Sequence, residues 1–190
     1  QRSAEFAARI SAMTGSTTEA AESEVADAVS EWFRWAAWAD KYDGAVHETT
    51  MHGLVLALNE PLGVVGVTCP DERPLCGFTR LVAPLLAMGN SVIAVPSESN
   101  PLAATDLYQV LETSDLPAGV LNIVTGIHSE FVPALAAHDG VDSMWVGTGD
   151  VDEVQIASVS NMKRVWKVNM DASADEFLRQ STHVKNIWLP

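Results

Sequence analysis

Pro61-Leu62-Gly63-Val64-Val65-Gly66-Val67-Thr68 is an apolar, β-branched run of the kind that forms strands buried in parallel sheets. The residues downstream of it decide the fold. Pro74 to Met88 reads as a helix closed by Gly89-Asn90, and Ser91 to Val95 as a second strand. Asn100-Pro101 supplies an N-cap and a first-turn proline for a helix running to about Ser114. Leu116-Pro117-Ala118-Gly119 is a loop and Val120 to Val124 a strand. Ser129 to His138 is a helix, Val141 to Val146 a strand, Val151 to Ser160 a helix and Arg164 to Val168 a strand. Helices alternating with short apolar strands predict an α/β fold: a doubly wound, Rossmann-like parallel sheet with right-handed crossovers.

Upstream the texture differs. The first dozen residues are Ala-rich and weakly punctuated, which suits either a helix or a frayed end. Ser16 and Glu19 have capping-box spacing, and the helix they open carries Val25, Val29, Trp32, Phe33 and Ala36 at steps of three and four. It is expected to stop at Gly44, with Trp32, Trp35 and Trp38 on a packing face. Val46 to Thr50 and Gly53 to Asn59 are β-prone and form a hairpin broken at His52-Gly53. No internal repeat or low-complexity tract occurs.

The 190 residues carry 25 acidic and 11 basic side chains, a net charge of −14, with 47% apolar residues. That is globular composition, and the charge argues against nucleic acid or an anionic membrane as partner. No apolar run approaches the ~20 residues of a membrane helix. The chain starts at Gln1 without Met and without a basic-then-apolar leader, so a cytoplasmic piece of a longer protein is expected. Two cysteines, Cys69 and Cys76, make no disulfide framework.

Chemical motifs are few. Gly147-Thr148-Gly149-Asp150-Val151-Asp152 begins like a dinucleotide fingerprint, but Asp152 replaces its third glycine. Asp150, Asp152 and Glu153 would satisfy the helix N-terminus themselves and repel a pyrophosphate. His47, Glu48 and His52 lack metal-binding spacing, and no metal site is expected. Cys69 lies beside Asp71 and Glu72, which hold back a thiolate, and Cys76 belongs to a core helix. No catalytic residue emerges.

A resemblance covers roughly Val25 to Val168 in unbroken order. Glu60 to Pro70 resembles the aldehyde dehydrogenase segment leading into P-W-N-x-P-L, and Ala83-Pro84-Leu85-Leu86-Ala87-Met88-Gly89-Asn90-Ser91-Val92 is similar to A-P-A-L-A-A-G-N-T-V. Val95-Pro96-Ser97-Glu98 resembles K-P-S-E, Leu116 to Gly126 resembles L-P-A-G-V-L-N-I-V-T-G, and Trp38-Ala39-Asp40-Lys41 resembles W-A-D-K. The resemblance makes Ser97, Glu98, Gly147 and Gly149 weak cofactor candidates, with Glu98 matched to the residue that takes the adenine ribose hydroxyls.

The departures point the other way. Asp71 and Glu72 stand where the family has Trp-Asn, whose Asn holds a developing oxyanion; carboxylates do the reverse. Val95 replaces the nucleotide-binding Lys. Val146-Gly147-Thr148-Gly149 aligns with F-T-G-S, and Lys167-Val168-Asn169-Met170 with L-E-L-G-G, so Val168 replaces the general-base Glu. The family's nucleophilic Cys belongs to a catalytic domain further on, which this chain lacks. Instead Asn169 to Asp175 reads as a polar linker, and the tail to Pro190 resembles the family's C-terminal oligomerisation strand T-x-V-K-x-V-W-V.

The resemblance divides the chain into residues 1–170, a nucleotide-binding domain remnant with a flap hairpin at 44–59, and residues 171–190, linker and oligomerisation strand. It is most similar to the C-terminal pseudo-dehydrogenase region of aldehyde dehydrogenase family sixteen. The implied function is a noncatalytic assembly domain with no cofactor of its own, NAD serving the parent enzyme. Its partner would be a catalytic aldehyde dehydrogenase unit in the same or a neighbouring chain, in a homo-oligomer. Leu54, Leu56, Leu58, Val184, Ile187 and Trp188 are the expected interface. Removing Thr182 to Pro190 is expected to disrupt association while the core stays folded. The alternative is a dinucleotide-binding fragment of an NAD-dependent enzyme that oxidises aldehydes to carboxylic acids.

Overall fold

The central strands of the parallel sheet alternate between two helical layers, so they are apolar on both faces. The computed structural model describes residues 2–50 and 53–189. The elements run α1 (Ser3–Thr14), α2 (Thr18–Trp38), β1 (Ala45–Thr49), β2 (Gly53–Pro61), β3 (Val64–Thr68), α3 (Pro74–Ala87), β4 (Ser91–Val95) and α4 (Leu102–Glu112). They continue as β5 (Leu121–Ile123), α5 (His128–Ala137), β6 (Ser143–Val146), α6 (Val151–Ala157), β7 (Arg164–Lys167), α7 (Ala174–Ser181) and β8 (Thr182–Leu189).

Five strands form a parallel sheet in the order β5-β4-β3-β6-β7. Val65, Val67, Val92, Ala94 and Trp145 face the layer of α1 to α4 and α7, while Val64, Ile93, Met144 and Val146 face α5 and α6. This is the doubly wound arrangement expected from the sequence. A second, antiparallel sheet has the order β1-β2-β8.

Several local expectations are corrected. The cap of α2 is Thr17, whose Oγ1 accepts from the Ala20 amide, and not Ser16. The Ser16 hydroxyl instead accepts from the Thr14 hydroxyl, and its carbonyl accepts from the Ser11 hydroxyl. The buried face of α2 is Ala21, Glu24, Val25, Ala28, Glu31 and Trp35; Val29, Phe33 and Ala36 are exposed, Phe33 at 74%. The two buried glutamates explain the shift: Glu31 accepts from the Trp35 indole at 3.1 Å, and Glu24 from backbone amides, so this stripe is not purely apolar. The helix ends at Trp38 rather than Gly44. Gly44 lies against β2, where a Cβ would collide with the Ala57 carbonyl oxygen.

The run from Pro61 to Thr68 is split between two strands. β2 extends to Pro61, Gly63 turns the backbone at φ 121°, and β3 starts at Val64. Asn90 fixes this turn, its side-chain oxygen accepting from the Leu62 and Gly63 amides. Pro101, not Asn100, precedes α4, which has no side-chain cap. The hairpin's Met51 and His52 lie outside the described residues, whereas its ladder from Ala45↔Ala57 to Thr49↔Gly53 is formed.

The segment after β7 holds a helix that the sequence reading does not anticipate. α7 is capped by Ser173, whose Oγ accepts from the Glu176 amide, and it drives Phe177 and Leu178 into the main core. Trp35, Trp145 and Trp166 surround the Phe177 ring, with centroids 5.9, 5.8 and 5.3 Å away. β8 then pairs with β2 from Pro61↔Thr182 to Leu54↔Leu189.

Candidate functional site

In a doubly wound sheet the ligand crevice opens at the carboxyl ends of the strands, where strand order reverses. Here that point lies between β3 and β6. The two strand ends are drawn tightly together: the Thr68 hydroxyl donates to the Thr148 carbonyl at 2.9 Å, and the Gly147 amide to the Thr68 carbonyl at 3.0 Å. A Cβ at Gly147 would meet that carbonyl oxygen at 2.5 Å and Leu81 Cδ1 at 2.8 Å, so only glycine fits. Gly149 has φ +99° and open space where a Cβ would be, so its glycine serves the turn rather than packing.

Helix N-termini around the crevice are the groups that would greet an anion, and the chain fills three of them with its own carboxylates. Glu24, buried, accepts from the Leu75 and Cys76 amides at 2.8 and 3.2 Å, at the start of α3. Glu98 accepts from the His128 amide at 2.7 Å, at the start of α5. Asp150 accepts from the Asp152 amide at 2.9 Å, at the start of α6, where Asp152 and Glu153 occupy the first turn.

The remaining candidates are equally engaged. Ser97 is buried; its hydroxyl donates to Asp71 at 2.5 Å and accepts from the Asn100 amide at 2.8 Å. Asp71 also accepts from the Ser99 amide and hydroxyl, both at 3.1 Å. The Ser97 hydroxyl above all, then the Ser99 groups and nearby His128, hold the Asp71 carboxyl below its ordinary pKa. The His128 ring contacts the Pro96 carbonyl at 2.8 Å. Thus Ser97 and Glu98 lie together near the crevice, tied to the loop after β3 and to the start of α5. Gly147 and Gly149 form the floor and turn after β6. A cavity of 160 Å³ beside them is lined by His128, Thr148, Asp150 and Glu153 over Val132 and Val154.

Two of the positions that depart from the family pattern are buried. Val95 is fully buried, and Val168 is 9% exposed and packed in the main core. Cys69 is enclosed, and burial drives its thiol pKa far upward; burial also raises that of Cys76. Among the described residues no group of three His, Cys, Asp or Glu side chains could hold a metal. Glu24 and the Asp71–Ser97 pair are the features that motif reading misses. In the sequence Asp71 stands out only as a departure, and Glu24 only as a charge within a helix.

The expected interface residues divide between two faces of the β1-β2-β8 sheet. Paired residues share a face, so the Leu54↔Leu189, Leu56↔Ile187 and Val46↔Leu56 pairs place Leu54, Leu56, Leu58 and Ile187 on one side. Trp188 and Val184, opposite Val55 and Asn59, lie on the other. Leu54, Leu58, Val184 and Trp188 are exposed, Trp188 at 59%, while Leu56 and Ile187 are half-buried.

This architecture is shared with known proteins. Residues 1–174 match the aldehyde dehydrogenase family model. The NADP/NAD-dependent aldehyde dehydrogenase PuuC of Escherichia coli is 41% identical over 137 residues, covering 70% of this chain and 28% of its own. Human retinal dehydrogenase 2 is 34% identical over 141 residues, covering 72% and 27%. Among solved structures, PnpE from Pseudomonas sp. WBC-3 superposes with TM-score 0.82 at 29% identity, covering 86% of this chain and 34% of that one. Betaine aldehyde dehydrogenase from Staphylococcus aureus, solved in complex with NAD+, gives TM-score 0.80 at 26% identity over 86% and 33%. The chain therefore spans about a third or less of the relatives it matches. With its doubly wound sheet, its strand-end crevice and a family match over most of its length, this chain belongs to the aldehyde dehydrogenase family.

Proposed function

We propose that this chain is a noncatalytic assembly domain of aldehyde dehydrogenase descent, most similar to the pseudo-dehydrogenase region of family sixteen. Its three-stranded sheet would pair with a catalytic aldehyde dehydrogenase unit. The observation that carries the reading is that sheet: Val46, Leu54, Leu58 and Leu189 are exposed on one face, and Val184 and Trp188 on the other. Exposed strands of this composition favour pairing or burial.

The crevice supports the same reading. Three helix N-termini that could hold a phosphate hold Glu24, Glu98 and Asp150 instead. The cavity beside Gly149 is 160 Å³, and the 650 Å³ cavity over the start of α3 is lined by Glu24, Asp71 and Glu72, carboxylates that oppose a phosphate. The residues present thus fit NAD poorly. Val168 supplies no base, and the buried thiol of Cys69 supplies no nucleophile. From Lys167 to Ala174 the chain passes directly from the last parallel strand to α7, with no room for a catalytic domain between them.

Light scattering on the chain, alone and mixed with PuuC as a catalytic probe, tests the role. Association that disappears when residues 183–190 are removed supports it; association indifferent to their removal overturns it. The rival reading, a dinucleotide-binding fragment, is separated by calorimetry with NAD. A dissociation constant in the low micromolar range would favour that rival.

A further inference from the structure

His138-Asp139-Gly140 lies in the turn between α5 and β6, at the opposite end of β6 from the crevice. All three residues are exposed. The ends of the turn are fixed. The Val141 amide donates to the His138 carbonyl at 3.1 Å, and Lys163 Nζ donates to the His138 and Val141 carbonyls at 2.8 and 2.9 Å. Between those ends the Asp139 carboxyl has no hydrogen bond or ion pair among the described residues.

The Gly140 amide donates to Nδ1 of the His138 ring at 2.9 Å. A Cβ on Gly140 would meet Cε1 and Nδ1 of that ring at 3.0 and 3.2 Å, so the imidazole reaches the amide because the residue is glycine. An imidazole nitrogen with a free lone pair is a general base close to neutral pH. Here it is held on the backbone nitrogen that follows an aspartate. That nitrogen is the nucleophile when an aspartyl side chain closes on its own backbone.

We propose that Asp139-Gly140 is a modification site, at which the backbone rearranges to isoaspartate with His138 as the base. The Gly140 nitrogen attacks Cγ of the protonated Asp139 carboxyl, and an N–Cγ bond forms as His138 Nδ1 takes the amide proton. The Cγ–OH bond then breaks, and the hydroxyl leaves with that proton as water. Water next opens the five-membered imide at either carbonyl. Opening at Cγ returns aspartate; opening at the backbone carbon leaves the chain running through Cγ, which is isoaspartate. The product adds a methylene to the turn and loosens the contact between Val141 and His138.

The chain holds an internal control, the same dipeptide at Asp43-Gly44. There the Asp43 carbonyl accepts from the Asn59 side-chain amide at 2.8 Å, and a Cβ on Gly44 would collide with the Ala57 carbonyl oxygen. Packing against β2 resists the rotation that imide closure needs. Among the described residues no imidazole accepts from the Gly44 amide.

The test ages the 190-residue chain in neutral buffer at body temperature. Isoaspartate is located by isoaspartyl methyltransferase labelling and by peptide fragmentation that separates it from aspartate. It should form at Asp139 at least about tenfold faster than at Asp43, within what general-base catalysis supplies. His138→Asn keeps an acceptor for the Gly140 amide but offers no base. It should slow the reaction at Asp139 by about tenfold or more and leave Asp43 unchanged. If that variant unfolds, its Asp43 rate will rise, and the two sites of the wild type then decide the matter. Three outcomes overturn the proposal: equal rates at Asp139 and Asp43 in the wild type, no isoaspartate at Asp139, or a wild-type rate at Asp139 in folded His138→Asn.

Discussion

Phe177 stands edge-on to Trp166, the ring centroids 5.3 Å apart and the planes at 84°. That contact ties α7 to the edge strand of the parallel sheet, and Trp35 and Trp145 close around the same ring. Arg80 lies 6.0 Å from its centroid. Edge-to-face pairs add to the value of simple burial, so one side chain couples the C-terminal helix to α2, α3 and β6.

Phe177→Ala should therefore be among the most damaging single substitutions. Phe177 is 1% exposed, and truncating a buried Phe costs about 3–5 kcal/mol. Urea unfolding monitored by tryptophan fluorescence should show stability lowered by that much with an unchanged slope. A loss below about 1 kcal/mol would mean that α7 is dispensable to the core.

Removal of residues 183–190 should spare that core. Thr182 belongs to it, because its hydroxyl donates to the Leu178 carbonyl and its own carbonyl accepts from Arg164 at 3.0 Å. Cutting one residue later than the expected Thr182 boundary therefore keeps α7 anchored. Thermal unfolding of the shortened chain should stay cooperative, while β2, losing its partner, becomes an edge.

Acid should weaken the β3–β4 loop connection through Asp71. Its carboxyl is held below its ordinary pKa by the Ser97 hydroxyl, so the folded state binds its proton less readily than the unfolded one. The associated stability is present above the unfolded value, about 3.9, and is lost as pH falls through the lower folded value. Asp71→Asn should flatten the acid limb of the stability–pH curve and leave the neutral limb little changed in slope. An unaltered acid limb would show that the Ser97 and Ser99 contacts do not persist in solution.

The thiols should resist alkylation. Cys69 and Cys76 are buried, and burial raises both thiol pKa values. Mass spectrometry after iodoacetamide treatment at pH 8 should find both unmodified in the folded chain and both modified in urea. Rapid labelling of Cys69 under native conditions, or aldehyde-dependent NADH formation lost in Cys69→Ser, would overturn the noncatalytic reading.

Glu98→Ala should cost about 0.5–2 kcal/mol, the value of a helix cap, because the His128 amide loses its acceptor. The same variant reads out the crevice: with the carboxylate gone, phosphate should stabilise the protein more than it does the wild type in a thermal-shift titration. Equal response in both would mean that Glu98 does not occupy an anion site.

The parallel sheet is legible because its central strands are apolar on both faces; Val64-Val65-Gly66-Val67 needs no partner to be recognised. Boundaries differ where backbone rather than side chains decides, as at Gly63. The helix α7 escapes notice although Ser173 and Glu176 have capping-box spacing, because Asn169 to Asp175 is polar enough to read as linker and the resemblance draws attention to the strand beyond. The crevice is legible only in outline. Asp150 announces itself by crowding carboxylates at a helix start. Glu24, however, reaches amides 51 and 52 residues away, a relationship no local spacing contains. The same applies to Glu98 and His128, 30 residues apart.

The pairing of β2 with β8 brings together parts of the chain far apart in sequence; the Glu60 and Lys185 side chains that bridge it are 125 positions apart. During synthesis the β1-β2 hairpin is therefore made long before the strand that completes its sheet. Its Leu54-Val55-Leu56 edge must wait while the whole parallel sheet is translated and folds. The interval leaves one edge of an apolar strand unpaired in a growing chain, and the small sheet cannot close until β8 has been made. Conditions that slow translation would lengthen that exposure, and a chaperone that shields strands would have its natural moment there.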